Sequence, residues 1–197
     1  HVHAAPYAAI GCVAVAEAVI AFPQLRPLFA GSFDQPARTA ADEADDQPWQ
    51  AVAGTAEFYT RLAQRNPQPE AAPIFYLSAS PRQLQAGIQT FLDKNAFPRG
   101  VLITKKITND KTSDPLTDQV QYKIGRIGQL LAALPQVRFV LVGDDGEHDP
   151  EIYDEIRRRY PGRIEAVWIR KVNADTGRPV YPEQRDLAAA LSGAQKP

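Results

Sequence analysis

Not one methionine occurs in this sequence, and it has a single cysteine, Cys12. One cysteine cannot close an intrachain disulfide or build a cysteine metal site, and it leaves the redox compartment open. The three histidines, His1, His3 and His148, are too few and too scattered for a histidine zinc site. Positive charge is not in excess either: the net charge is -1. That argues against a nucleic-acid partner held by bulk charge, and only a local basic patch would change the reading. A long apolar run is missing too. The stretch from Ala8 to Phe22 contains Glu17 and falls short of the ~20 residues that a spanning helix needs. No Lys/Arg region precedes it, as a signal peptide requires. Ile10-Gly11-Cys12 fits a lipoprotein cleavage site, but a buried strand or helix explains the same residues. With His1 first and no methionine, a processed or trimmed product, or an incomplete reading, is expected. A soluble protein is expected, cytoplasmic ahead of secreted.

What is present suits one medium domain with a real core: 197 residues, 44% hydrophobic and 23% charged. Residues 1–53 read as an atypical N-terminal segment. Val13 to Ile20 is a first strand or a helix, and periodicity does not decide for so short a run. Prolines and the polar run Asp42 to Gln47 make 31–50 a loop or insertion. Residues 54–172 form a regular core. Helical spacing marks Thr55–Gln64, a helix opening at Ser80-Pro81, Asp118–Leu134 and a helix starting at Asp149-Pro150. Continuous apolar runs mark buried strands at Ile74–Leu77, Val101–Ile103, Arg138–Val142 and Ile164–Ile169. Residues 173–197 read as a polar tail with a short helix at Leu187–Leu191. Strands and helices that alternate this way predict an α/β fold, a three-layer Rossmann-like parallel sheet with helices on both faces. Ligands of such sheets bind beyond the carboxyl ends of the strands.

Two strand ends carry chemistry. Ser78-Ala79-Ser80-Pro81-Arg82 follows the strand at 74–77. A strand-end hydroxyl before the backbone N–H groups of a helix start can hold a phosphate oxygen. A plain helix cap by Ser80 accounts for it equally well. Gly143-Asp144-Asp145-Gly146-Glu147-His148-Asp149-Pro150 follows the strand at 138–142. Four acids so close repel one another unless a cation sits among them, and hard oxygen ligands suit magnesium. Asp149 also reads as an ordinary helix N-cap, and Asp145 and Glu147 as solvated loop. Asp144 is harder to explain away, since it directly follows a buried strand. Lys123 alone is an exposed helix lysine. Lys105 and Lys106 lie just past a strand and are placed to approach the site. Arg157-Arg158-Arg159 is a solvated helix face, with a lipid-headgroup contact as the alternative.

In combination these residues are more specific. Tyr76-Leu77-Ser78-Ala79-Ser80-Pro81, Phe97-Pro98-Arg99-Gly100, Lys123, the run Phe139 to Tyr153, Tyr160-Pro161-Gly162-Arg163 and Ile169-Arg170-Lys171-Val172 occur in that order. Together they resemble the catalytic core of the actin-patch phosphatidate phosphatase family, of the haloacid dehalogenase type. The resemblance implies a haloacid-dehalogenase-like fold, Mg²⁺ as cofactor, and a phosphorylated small molecule or phospholipid headgroup as partner, with peripheral membrane contact. It implies that Ser78, with Ala79 beside it, binds phosphate. Lys123 would steady a phosphoaspartyl intermediate, making it catalytic and phosphate-binding. Asp144 and Asp149 would position the metal, Asp144 being catalytic as well.

One part of the family pattern is missing. The resemblance calls for a first strand ending in Asp-x-Asp, the first Asp a nucleophile and the second a general acid/base. No Asp-x-Asp occurs in the 197 residues. Aligned by position, Val15 stands at the nucleophile, Glu17 at the acid/base and Val19 near the following threonine. Asp34 is another candidate nucleophile. Three explanations stay open: a pseudophosphatase that acts as a phosphate, lipid-headgroup or protein binding module, an incomplete or altered N-terminal sequence, or a different catalytic group.

Overall fold

The side chains of Phe139-Val140-Leu141-Val142 are all fully buried. A strand sends alternate side chains to opposite faces, so one that is apolar throughout must be covered on both. A computed structural model of the chain shows how. It describes residues 12–16, 51–64, 72–108, 113–114, 118–135, 137–172, 177 and 179–191. Among these residues six strands, β1 (Cys12–Ala16), β2 (Ile74–Pro81), β3 (Val101–Lys105), β4 (Arg138–Asp144), β5 (Ile164–Arg170) and β6 (Gln184–Asp186), form one sheet in the order β3-β2-β1-β4-β5-β6. Every neighbouring pair is parallel. The helices are α1 (Thr55–Ala63), α2 (Gln85–Lys94), α3 (Gln119–Ala133), α4 (Asp149–Arg159) and α5 (Leu187–Leu191).

Alternation along the strands sorts the core into two layers. Ile74, Tyr76, Val140, Val142 and Trp168 pack with Phe58, Tyr59 and Leu62 of α1, with Ile88 and Phe91 of α2, and with Leu187 and Ala190 of α5. Leu77, Leu141, Val167 and Ile169 face the other way, against Ile124, Ile127 and Leu131 of α3 and Ile152 and Ile156 of α4. The three-layer Rossmann-like arrangement expected from the sequence is therefore the one that forms. Strand order reverses between β1 and β4, which makes their carboxyl ends the switch point where such folds bind ligands.

Several boundaries differ from the sequence reading. Within the run Val13 to Ile20, residues up to Ala16 belong to a strand at the sheet centre, paired with both β2 and β4. Residues 17–20 and the loop expected at 31–50 lie outside the described residues. No helix opens at Ser80. β2 continues to Pro81, across a register shift that ends with Pro81 opposite Lys105. A residue before proline is pushed out of the helical region, so the chain stays extended through Ser80. A 3₁₀ turn follows at Arg82–Leu84, without a side-chain cap. The stretch beyond 173 is more than a polar tail. β6 pairs with β5, and α5, the short helix foreseen at Leu187–Leu191, buries Leu187 and Ala190. Strand β6 escapes the apolar-run criterion because its sequence is Gln-Arg-Asp.

This docking is testable. Leu187→Ala should cost about 2–5 kcal/mol of unfolding free energy, the usual range for a buried leucine truncated in a core. Urea denaturation followed by circular dichroism reads it, and a loss under ~1 kcal/mol would mean that the segment is not part of the core.

Candidate functional site

Two elements converge at the carboxyl end of β4. Helix α3 starts after Asp118, whose side chain accepts a hydrogen bond from the Gln121 N–H at 2.8 Å. Its apolar stripe lies on the sheet. Lys123, adjacent to Ile124 on that stripe, is carried inward and is 2% exposed. Helix α4 starts at Asp149, with Pro150 in its first turn. The N-cap position is His148, which makes no side-chain cap bond. Asp149 instead turns back onto the strand. Its Oδ1 accepts from Lys123 Nζ at 2.7 Å, and its Oδ2 accepts from the backbone N–H of Asp144 at 3.3 Å. A carboxylate at a helix start also gains from the helix dipole.

Gly143 makes this possible. A Cβ at that position would overlap Asp149 Oδ2 and lie 2.9 Å from Asp149 Cγ and from Tyr153 Cε2. The ion pair therefore rests directly on the β4 backbone, and Tyr153 beside it donates a hydrogen bond to the Val142 carbonyl at 3.1 Å.

Asp144 is different. Its side chain is 18% exposed, so it stands at the mouth of the site. Oδ1 accepts from the Gly146 N–H at 2.9 Å, and Oδ2 accepts from an Arg170 guanidinium nitrogen at 3.1 Å. Arg170 ends β5 opposite Asp144 in the register. The loop is locked to β5 by Asp145, whose N–H donates to the Arg170 carbonyl at 3.0 Å and whose carboxylate accepts from the Val172 N–H at 2.6 Å.

Ser78 reaches the same level from the other side. Ala16 is level with Tyr76 on β2 and with Val142 on β4. Ser78 and Asp144 each lie two residues further on, at matching heights. They flank the end of β1, two strand spacings or about 10 Å apart. Ser78 is buried, and its Oγ accepts from the Ser80 N–H at 3.1 Å. Ala79 is half-buried against the α3 layer. Ser80 thus donates its backbone N–H to Ser78 and does not cap a helix.

Lys105, at the end of β3, is also fully buried, with Nζ 5.4 Å from the Tyr122 ring centre. The Arg126 guanidinium lies 5.4 Å from the same ring and pairs with Asp114 at 3.1 Å. Asp114 also accepts from the Lys106 N–H at 2.7 Å. Burial holds the Lys105 ammonium below its ordinary pKa, and Asp114 and Asp118 partly oppose this. Burial raises the Tyr122 phenol, with the Arg126 charge pulling the other way. Arg157, Arg158 and Arg159 are engaged by Glu183, by Asp154 with Glu155, and by Glu155 in turn. The run was expected as a solvated helix face; the structure adds that each arginine is paired with an acid.

The structure therefore joins Lys123, Asp149 and Asp144 through direct contacts and brings Ser78 level with them. Val15 is on β1, level with Phe75 and Leu141. Glu17, Val19 and Asp34 lie outside the described residues. Arg170 was legible only as part of a family motif. The rule that singled out Asp144, a polar residue directly after a buried strand, would have found it. Among the described residues no group of three or more His, Cys, Asp and Glu side chains could hold a metal ion. Magnesium commonly takes one or two carboxylates, with water and substrate phosphate completing its shell. Asp144 fits that use, being a hard oxygen donor at the mouth. Asp149 is fully buried and engaged through both oxygens. No helix among the described residues is long and apolar enough to cross a membrane.

Residues 33–171, well over half of the chain, match the family model described as the catalytic domain of phosphatidate phosphatase APP1. Phosphatidate phosphatase APP1 of Saccharomyces cerevisiae is 35% identical over 97 residues, which is 49% of this chain and 16% of that protein. An uncharacterized protein of Schizosaccharomyces pombe is 25% identical over 126 residues, 64% of this chain and 20% of its own length. The chain thus spans a fifth or less of these relatives. No solved structure matches it significantly.

Two outcomes are expected from the charges. Lys123→Met should cost about 3–5 kcal/mol, because it strands a buried carboxylate, and adding Asp149→Leu should recover most of the loss. Urea titrations of both single variants and the double variant measure the coupling, and simple additivity would refute it. For Lys105, whose folded pKa is lowered, the unfolded chain binds more protons in the window below the ordinary ~10.4. Raising the pH through that window should therefore raise wild-type stability relative to Lys105→Met. A difference that stays flat as the pH rises toward ~10.4, again by urea titration, would contradict it.

Proposed function

The chain belongs to the family of the phosphatidate phosphatase APP1 catalytic domain, and from that premise we propose that it takes a phosphatidate-like phosphomonoester at the carboxyl edge of its sheet. Hydrolysis with Mg²⁺, in the manner of haloacid-dehalogenase-type phosphatases, is the reading the site supports best. The observation that carries it is the buried Lys123–Asp149 pair at the end of the strand that bears Asp144. A carboxylate beside a lysine buried this deeply favours its charged form against the cost of desolvation. The result is a fixed ammonium, balanced by Asp149, close to the strand end where the phosphoryl oxygens would gather negative charge. In this reading Asp149 is a positioning residue for Lys123. Ser78 accepts one hydrogen bond from its own turn and presents its O–H to a phosphate oxygen. Asp144 would hold Mg²⁺, which when bound supplies charge neutralisation for the phosphate. A phospholipid substrate is proposed by analogy with the phosphatidate phosphatase of Saccharomyces cerevisiae, and peripheral contact with a membrane surface would accompany it.

A second reading rests on the absence of Asp-x-Asp from the 197 residues. A phosphoaspartyl route needs a carboxylate nucleophile on the first strand, and Cys12–Ala16 supplies none. The domain would then bind phosphate or lipid headgroups through Ser78 and Lys123 without turnover.

Phosphate release from an aryl phosphate in MgCl₂ separates the two. The enzyme reading predicts turnover that Asp144→Asn lowers by about 100-fold or more. The binding reading predicts thermal stabilisation by inorganic phosphate with no release. If the folded protein shows neither, both readings fail.

A further inference from the structure

Asp144, the carboxylate best placed to receive a divalent cation, already has a cation on it. Arg170 donates to Oδ2 at 3.1 Å, and the two side chains are 17% and 18% exposed. The arginine is held less completely than the aspartate. Its Nε is buried and has no hydrogen-bond partner among the described residues. A guanidinium has five N–H donors in a rigid fork and cannot lose its charge. A pose that leaves a buried donor unmet is costly, so the Arg170 side chain gains by finding a further acceptor. Its backbone, by contrast, is fixed: it lies in register with Asp144, and its carbonyl accepts from the Asp145 N–H at 3.0 Å. Any movement is therefore confined to the side chain, at the edge where a substrate phosphate would lie.

A divalent cation on Asp144 Oδ2 would stand against the guanidinium, and like charges so close repel. We propose that Arg170 is the resident counter-ion of Asp144, displaced by the cation and then donating to the substrate phosphate. This rests on the reading of the site as a magnesium and phosphate pocket. In it, Arg170 neutralises the mouth while the site is unloaded, and cation binding turns its fork toward the incoming anion. Phosphate would be bound more tightly once the cation is in place.

Isothermal titration calorimetry with MgCl₂ alone, and with inorganic phosphate at saturating MgCl₂, tests this on the full chain. Arg170→Gln should bind Mg²⁺ about tenfold more tightly than wild type, since a charge-assisted bond no longer competes. It should bind phosphate about tenfold more weakly in the presence of Mg²⁺. Arg170→Lys, which keeps a cation on a flexible stem, should fall between the two for Mg²⁺, and it serves if the glutamine variant folds poorly. Asp144→Asn should abolish the Mg²⁺ signal. If wild type binds Mg²⁺ and Arg170→Gln binds it equally or less tightly, the counter-ion role is overturned while the phosphatase reading stands. If neither wild type nor the variants bind Mg²⁺, both are overturned.

Discussion

A lysine ammonium and an aspartate carboxylate, both out of reach of water, lie 2.7 Å apart beneath the carboxyl end of the sheet. Either charge alone in that position would be strongly disfavoured, and together they roughly offset the desolvation each suffers. The consequence is geometric. Lys123 comes from the first turns of α3, Asp149 opens α4, and the Asp144 N–H on β4 closes the arrangement. Three elements are thereby fixed to one another at the point where strand order reverses. A hydrophobic trio would hold them as well but would leave no charge behind. The pair keeps an ammonium, balanced by its own carboxylate, beside a strand end that carries a second carboxylate.

The same pattern continues along the edge. Asp144 has Arg170, Asp114 has Arg126, and the Lys105 ammonium lies over the face of Tyr122. Such contacts in a poorly solvated place are stronger than their surface equivalents. They also differ in exposure, and that separates their uses. The pair at 123 and 149 is sealed, whereas the pair at 144 and 170 is partly exposed at the mouth. The arginine run of α4 is engaged by acids mostly on its own helix, so its charges are spent locally and contribute little to any long-range field.

The fold was largely legible because both layers of the core are written in periodicity. The four-residue run at 139–142 could only be a doubly covered strand, and the stripe Ile124, Ile127, Leu131 could only be a helix face. What escaped was decided by context. Strand β6 is polar and pairs only because β5 offers it an edge. Ser80 resembles a cap, yet Pro81 keeps the residue before it extended. Asp149 could be recognised as a helix-start acid, but not as one that turns inward, because that depends on a missing side chain six residues earlier in the chain and on a lysine from another helix. The importance of Ser78, Lys123 and Asp144 came from their order in a family pattern, the matching heights of Ser78 and Asp144 from the register of β1, β2 and β4, and the place of Lys123 from its contact with Asp149. The place of Val15 on the central strand followed from that same register.

Gly143 has a bearing on how this domain can change over generations. Any side chain there collides with the carboxylate beneath it, so the position cannot vary while residues 123 and 149 remain as they are. Substitution at 123 or 149 faces a penalty as well, because each leaves the other charge stranded. The three sites thus form a lock with an order of release: the acid and the amine must be replaced nearly together, and only then is the glycine free to drift. Descendants that had abandoned phosphate chemistry would be expected to show that sequence of loss, with glycine the last of the three to go.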